Sequence, residues 1–167
     1  MPSKRVSYPV RLPPFQTLLD THGRDVHRFL IASVGPVDAD DCYQETWLAA
    51  LRAYPELRDA SNLRSWVLTI AHRKVIDHAR SRARRPVPIP EADTGATDGV
   101  EPTAQALDGD VWSNVANLPD KQRTALALRF VADAAYADIA SVMETSEEAA
   151  RRNVHEGLKR LRKEYTP

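Results

Sequence analysis

The chain has 167 residues, of which 43% are hydrophobic and 28% are charged, and its formal net charge is zero. This composition is typical of a soluble globular protein with one domain or two small ones, and no run of about 18 apolar residues exists that would span a membrane. The single cysteine, Cys42, excludes an internal disulfide, and residues 1–15 lack the apolar core of a secretory signal, so we expect a cytoplasmic protein.

The first two predicted elements are amphipathic helices. Apolar residues recur at three- and four-residue spacing over 14–34, and Gly35 with the following proline ends this helix. A second helix is expected to start at Asp38, with further acids in its first turn where they complement the helix dipole, and to stop before Pro55. Its apolar stripe is Tyr43, Trp47, Ala50, Leu51 and Tyr54.

A third helix is predicted to begin with Ser61 or Asn62 as N-cap and to run to about Arg85. Its first half is apolar on most sides and its second half is basic. The basic half is either a solvated helix end or a phosphate-binding surface. The polar loop 55–65 upstream favours the second interpretation, because amide and hydroxyl groups beside a basic helix can hold an unstacked base and its backbone.

The segment 86–109 is predicted to be a flexible linker, since it is rich in proline and glycine and has no sustained apolar period. It separates an N-terminal domain, 12–85, from a C-terminal domain, 110–165. Residues 86–110 include six acids and no Lys or Arg, whereas 73–85 and 151–163 each hold six basic residues against one acid. Local charge sets the field near a surface, so these two stretches can bind phosphates although the molecule is neutral.

The C-terminal domain is predicted to contain a helix-turn-helix. A short helix around Val115 comes first, and Pro119 is expected at position N1 of the next helix. A short helix over 136–143, a three-residue turn and a long basic helix follow, which is the order of a helix-turn-helix. Thr145 and Glu148 fit a capping box at the start of the basic helix.

The basic helix is the candidate recognition helix. The alternative is a solvated helix without a ligand, and the preceding short helix and turn favour DNA binding. Arginine can contact guanine through two hydrogen bonds, so Arg151 and Arg152 are the predicted base readers, whereas Glu147 suits capping at least as well as base contact. The candidate DNA contacts of this helix are Ser146, Glu147, Arg151, Arg152, His155 and Lys159.

Catalytic and metal sites are not predicted. The pairs His22 with His27 and His72 with His78 lack the four-residue spacing that places two ligands on one helix face, and a lone thiol offers no cluster. The chain has no glycine-rich phosphate loop and no nucleophile elbow. We therefore expect no enzyme, no metal and no cofactor.

Two stretches of the sequence resemble a known family. Asp-Ala-Asp-Asp-Cys-Tyr-Gln-Glu-Thr-Trp (38–47) and the segment 63–80, which contains Trp-Val-Leu-Thr-Ile-Ala-His, resemble region 2 of extracytoplasmic-function sigma factors. Leu118-Pro119, Tyr136-Ala-Asp-Ile-Ala140 and the basic helix are similar to their region 4. The departures are Glu144 at a turn position usually taken by glycine, Thr145 in place of an apolar residue, Glu148-Ala149-Ala150 in place of G-T-V, and His72 where asparagine is common.

The resemblance implies an all-α protein of two small helical domains that binds core RNA polymerase and promoter DNA. It implies that the second helix docks on the clamp helices of the largest polymerase subunit and that region 4 contacts the flap. It also implies that an anti-sigma factor regulates the protein and that the protein does not insert into a membrane. The implied polymerase contacts are Asp41, Gln44, Glu45 and Leu48. The implied −10 contacts are Arg58, Ser61, Asn62, Arg73, Lys74, Arg80 and Arg84, and the recognition helix would read the −35 element.

Two other functions remain open from the residues. A helix-turn-helix regulator that does not associate with polymerase would use its N-terminal domain to sense or to dimerise. An enzyme with a DNA-binding tail is disfavoured because no catalytic constellation is present.

Overall fold

The computed structural model describes residues 10–85 and 109–165, and within these ranges every regular element is helical, which confirms the predicted all-α class. The predicted linker lies outside the described residues, apart from Gly109, which begins a helix. The α-helices are α1 (Phe15–Val34), α2 (Pro36–Ala53), α3 (Leu63–Arg84), α4 (Gly109–Ala116), α5 (Asp120–Leu126), α6 (Tyr136–Val142) and α7 (Glu147–Tyr165), with a 3-10 turn at Tyr54–Glu56 and a π-helical turn at Ala127–Val131.

Helices α1, α2 and α3 pack around one apolar core. Val26, Phe29 and Leu30 of α1 are fully buried, and they belong to the same core as Val67 and Leu68 of α3. Burying each such side chain contributes about 1.5–3 kcal/mol. This burial makes α3 a rigid support for the basic residues that extend along its second half.

Helix α2 begins at Pro36, so the predicted start at Asp38 is wrong by two residues. Gly35 has a φ of 87°, a left-handed conformation that glycine adopts without strain, and it allows the chain to reverse direction between α1 and α2. Proline loses no hydrogen bond at N1, where its fixed φ already suits the helix. Asp38 is therefore the acid of the first turn.

Asn62 is the N-cap of α3, because its side-chain oxygen accepts a hydrogen bond from the Ser65 backbone N–H at 3.0 Å. Ser61, the other predicted cap, instead donates its backbone N–H to the Asp59 carboxylate at 2.9 Å. In the C-terminal group of helices, Pro119 is the N-cap of α5 and not its N1 residue, since its ψ of 143° is extended.

Helix α5 is followed directly by the π-helical turn Ala127–Val131. The backbone N–H of Ala132 bonds the carbonyl of Ala127 at 3.0 Å, and that of Ala134 bonds Leu128 at 2.9 Å. The side chains of Ala127, Leu128 and Val131 are buried, so packing offsets the poorer geometry of this turn.

The turn between α6 and α7 is a Schellman motif. The N–H of Thr145 bonds the carbonyl of Ala140 at 2.9 Å and the N–H of Glu144 bonds Ser141 at 3.3 Å, while Glu144 has a φ of 53°. Helix α7 is capped by Ser146, whose Oγ accepts from the Ala149 N–H at 3.1 Å. The predicted capping box of Thr145 is therefore wrong, because Thr145 completes the turn and the cap falls one residue later.

The two helical groups contact each other. Helix α3 lies against α6, and α1 lies against the π-helical turn and α4. Among the described residues, polar contacts across this interface include Asn62 Nδ2, which donates to Asp138 Oδ1 at 2.8 Å, and Arg73 Nη2, which lies 3.4 Å from Glu144 Oε1. No helix in the described part of the chain is long and apolar enough to cross a membrane.

Candidate nucleic-acid interface

Helix α7 presents a mainly cationic side to solvent from Arg151 to Lys163, and its other side is held closely against α5. A Cβ added at Gly157 would lie 2.8 Å from Leu126 Cδ1, so glycine permits this close approach. The residues that face the core are Ala150, Val154, Gly157 and Leu161. The exposed side carries Ser146, Glu147, Arg151, Arg152, His155 and Lys159, so the structure places all six candidate DNA contacts on the surface.

The guanidinium of Arg151 is positioned by neighbouring side chains. It lies over the ring of Tyr136 at 4.8 Å from the centroid and 3.8 Å from the carboxylate of Glu147. Arg129 also lies over this ring, at 4.7 Å, and donates to the Ala134 carbonyl at 3.0 Å. Exposed cation–π contacts contribute about 0.5–1 kcal/mol each. Arg151 is thus held in one orientation at the start of the helix.

Sequence reasoning missed Tyr136 and Arg129. Tyr136 begins α6 and Arg129 lies in the π-helical turn, so the contact between them depends on tertiary packing. An aromatic residue at the start of the short helix was the only local signal, and it does not identify its partners.

The candidate contacts around α3 form two separate groups. Arg58, Ser61 and Asn62 lie at its N-terminal end, and Arg80 and Arg84 lie about 27 Å farther along the helix axis. Arg80 and Arg84 are exposed and line a shallow depression with Asp77, Ser81 and Arg85. Arg73 is exposed and Lys74 half-buried between the two groups.

Two of the α3 candidates are engaged within the molecule. Asn62 is bonded to Asp138 of α6, and Arg73 is paired with Glu144 in the turn before α7. In this arrangement the α6–α7 unit lies against part of the surface that the sequence predicts to contact DNA.

The outer face of α2 is the candidate partner surface. Asp41, Gln44, Glu45 and Leu48 are all exposed, and their spacing places them along one side of the helix. Leu48 is 52% exposed and Leu51 is 51% exposed. The prediction that Leu51 belongs to the buried stripe is therefore wrong, and Leu51 extends the apolar part of this surface by one turn.

Contacts of two aspartates hold the start of α2 against its neighbours. Asp38 lies 3.2 Å from His78 Nε2 and 3.7 Å from Arg82 Nη1 of α3. Asp40 lies 2.9 Å from His27 Nε2 of α1. These exposed or half-exposed pairs contribute little stability individually but orient α2 on the bundle.

Burial shifts the pKa of a thiol in α2 and of an imidazole in α3. Burial, together with the nearby acids Glu45, Asp38 and Asp41, raises the pKa of the Cys42 thiol to about 11, so this thiol stays protonated near neutral pH. Burial lowers the pKa of His72. No cluster of three or more His, Cys, Asp or Glu side chains suited to a metal ion occurs within residues 10–85 and 109–165.

Comparisons with known proteins agree with this arrangement of helices. A family model described as Sigma-70 region 2 matches residues 18–85, and one described as Sigma-70, region 4 matches residues 115–163. The ECF RNA polymerase sigma factor ShbA of Streptomyces griseus is 32% identical over 132 residues, which cover 74% of this chain and 69% of that relative. The chain belongs to the extracytoplasmic-function sigma factors.

A second relative of this sigma-family chain is the ECF RNA polymerase sigma factor SigC of Mycobacterium tuberculosis, with 36% identity over 132 residues. That match covers 71% of this chain and 65% of SigC, slightly less than two thirds of the relative. Region 2 extends from α1 to the end of α3, and region 4 extends from Val115 in α4 to Lys163 in α7.

Solved structures share the fold. The sigma factor RpoE of Bartonella quintana, in complex with the anti-sigma factor NepR, superimposes with a TM-score of 0.72 at 21% identity, covering 91% of this chain and 96% of that one. CnrH, in complex with the cytosolic domain of CnrY, gives 0.66 at 20% identity, covering 88% and 84%.

Proposed function

We propose that this sigma-family chain binds core RNA polymerase in the cytoplasm and directs it to specific promoters without catalysing a reaction itself. The observation that carries the proposal is the presence of a region 2 and a region 4 in one chain, each with an exposed charged face. Polymerase supplies the chemistry, and this protein places it on DNA. The domain limits 12–85 and 110–165 remain a prediction.

The exposed face of α2 is the proposed polymerase contact. Its acidic and amide groups precede Leu48 and Leu51 along the same exposed side of the helix, so exposed apolar side chains adjoin polar ones. Protein interfaces commonly combine these features. The residues assigned to docking on the clamp helices are Asp41, Gln44, Glu45 and Leu48, and region 4 is assigned to the flap.

The surface around α3 is the proposed −10 contact, formed by Arg58, Ser61, Asn62, Arg73, Lys74, Arg80 and Arg84. Strand separation costs base stacking, and the cationic groups offset part of this cost by binding the backbone. Because Asn62 and Arg73 are bonded to Asp138 and Glu144, full use of this surface requires region 4 to move away from region 2.

Helix α7 is the proposed −35 reader, with Arg151, Arg152, His155 and Lys159 facing the major groove or its phosphates. Ser146 caps the helix and Glu147 pairs with Arg151, so we assign these two residues to positioning the helix on the DNA. The two domains, joined by 86–109, bind one promoter together, which raises the effective concentration of each domain at its site.

An anti-sigma factor is the proposed inhibitory partner. RpoE and CnrH share the fold. The structure of RpoE contains the anti-sigma factor NepR, and the structure of CnrH contains the cytosolic domain of CnrY. The exposed face of α2 offers such a partner the same residues that would contact polymerase, so inhibitor and polymerase would compete for them.

Reconstituted transcription of fragmented genomic DNA tests the function. Core polymerase with the chain should produce transcripts with defined 5′ ends that core polymerase alone does not produce. Leu48→Glu should reduce binding to core polymerase, with Arg24→Glu on the exposed side of α1 as a matched control. The opposite result would be a chain that binds duplex DNA without binding core polymerase and without directing transcripts with defined 5′ ends. That result would replace this proposal with the alternative of a regulator independent of polymerase.

A further inference from the structure

A cleft of about 500 Å³ lies between α3 and the helices α5 and α7. Val75, Ile76 and Ala79 form its apolar side on α3, and Met143 and Ala149 lie on the region 4 side. Its volume falls within the range of about 300–1,000 Å³ that is typical of small-molecule sites. Both regions therefore contribute walls to one cavity, which exists only while they are in contact.

The charges around this cleft leave an excess of cations. Both carboxylates in its lining already have partners: Asp120 lies 2.6 Å from Arg123, and Glu144 lies 3.4 Å from Arg73. Lys121 and Arg152 also line the cleft, and among the described residues neither forms an ion pair or a side-chain hydrogen bond.

His72 is the remaining titratable group in the cleft. Burial lowers its pKa, so the imidazole is neutral at pH 7 and adds no charge. The two unpaired cations therefore favour a ligand with a negative charge, and the apolar wall of α3 favours a ligand whose uncharged part is apolar.

We infer that this cleft binds a small organic anion, namely an aromatic or aliphatic carboxylate or sulfonate. Its apolar body would contact Val75, Ile76 and Ala79, where burial removes apolar surface from water. Its acidic group would bind Lys121 and Arg152 through charge-assisted hydrogen bonds. Binding of the anion to the free chain is independent of the proposed function, whereas its effect on the −10 surface rests on that function.

The site links ligand binding to the arrangement of the two regions. A ligand that contacts α3 together with α5 and α7 binds only the arrangement in which they are adjacent, so it shifts the population towards that arrangement. The same arrangement keeps Asn62 on Asp138 and Arg73 on Glu144. The anion therefore acts as an inhibitor of the −10 surface.

Titration of the full chain with 8-anilinonaphthalene-1-sulfonate tests the site. This probe combines an apolar body with a sulfonate, and we expect saturable binding of one probe per chain with increased fluorescence. Lys121→Ala should weaken binding roughly tenfold, as expected for the loss of one charge-assisted hydrogen bond. Ala79→Trp should fill the cleft and abolish binding, and circular dichroism would verify that this variant folds.

Matched controls lie outside the cleft. Arg24→Ala removes an exposed cation of α1, and Phe130→Ser removes an apolar side chain that is 57% exposed. Both should leave probe affinity unchanged. Non-saturable binding, unchanged affinity in Lys121→Ala, or loss of binding in Phe130→Ser would overturn the inference. Failure of the transcription assay would not, because this titration contains neither polymerase nor DNA.

Discussion

Ser146 begins α7 by accepting a hydrogen bond from the Ala149 N–H, one of the donors that have no partner within the helix. Ser146→Ala should lower the free energy of unfolding by about 1 kcal/mol, the usual cost of losing an N-cap. Urea denaturation followed by circular dichroism measures this change. Thr145→Ala is the control, because Thr145 contributes its backbone to the turn, and an equal loss in both variants would contradict the assignment of the cap.

Arg151 and Arg152 are adjacent on α7 but differ in their surroundings. Arg151 is held over Tyr136, whereas Arg152 lines the cleft beside α3. Each Arg→Ala change should weaken duplex binding by about 1–3 kcal/mol if the side chain reads a base, and should relax specificity at one position of the −35 element. Fluorescence anisotropy with promoter duplexes at several salt concentrations measures both effects.

The salt dependence separates base readers from phosphate contacts. Removal of a phosphate contact reduces affinity on all sequences alike and lowers the salt slope by about one. Arg24→Ala, which removes a cation distant from α7 in sequence, serves as the reference variant. Unchanged discrimination in both arginine variants would remove Arg151 and Arg152 as readers.

At the residue scale, the exposure of side chains was easier to predict from the sequence than their contacts. The cationic residues of α7 are exposed as expected, because a helical period determines which side chains share a face. The cap could not be assigned to Ser146 instead of Thr145, because both residues are good caps and only the Schellman turn decides between them. The contact of Arg151 with Tyr136 likewise depends on how α6 lies against α7.

At the scale of elements, Gly157 is required by the close packing of α7 on α5. Gly157→Ala would increase helix propensity by about 1 kcal/mol, yet its Cβ would lie 2.8 Å from Leu126 Cδ1. Leu126 is 2% exposed and has little room to move. Overpacking of a core typically costs about 1–3 kcal/mol, so we expect a net loss of stability in urea denaturation.

Gly23→Ala provides the matched comparison within α1. Its Cβ would lie 2.8 Å from Tyr43 Oη, the far end of a side chain that is only partly buried. Tyr43 can shift at lower cost than Leu126, so the expected loss is smaller. A larger loss for Gly23→Ala than for Gly157→Ala would show that α1 and α2 form the tighter contact.

Helix limits were predictable wherever a local signal was unique. The ends of α1 and α2 follow from Gly35 and Pro55, but the starts of α2 and α5 depended on whether a proline lies inside or just before the first turn. Proline fits both positions, since its φ is compatible with each. The π-helical turn and the exposure of Leu51 have no local signature, because packing of the finished bundle determines both.

At the scale of the whole molecule, the contact between the two regions could not be predicted. Asn62 and Asp138 are separated by 76 residues and Arg73 and Glu144 by 71, and all four residues are polar side chains at or near the surface. No hydrophobic period marks such an interface. The sequence predicted that most cationic side chains of 73–85 and 151–163 would be exposed, but not that one region would lie against the other.

Breaking these two contacts should open the molecule. Exposed ion pairs and hydrogen bonds contribute about 0–1 kcal/mol each, so the double variant Asp138→Ala, Glu144→Ala should shift the ratio of closed to open molecules by up to about 30-fold. Small-angle X-ray scattering should show a larger radius of gyration. Affinity for a single-stranded oligonucleotide should rise, because Asn62 and Arg73 become free to bind it.

A control must distinguish this rise in oligonucleotide affinity from the effect of removing two negative charges near the DNA. Glu56→Ala, Glu164→Ala removes the same number of exposed carboxylates at positions that do not join the two regions, so it should raise affinity less and leave the radius of gyration unchanged. Salt screens exposed pairs, so added salt should bring the radius of the unsubstituted protein closer to that of the double variant. Equal radii for the double variant and the unsubstituted protein at low salt would mean that the apolar contacts of α1 and α3 hold the regions together without these polar pairs.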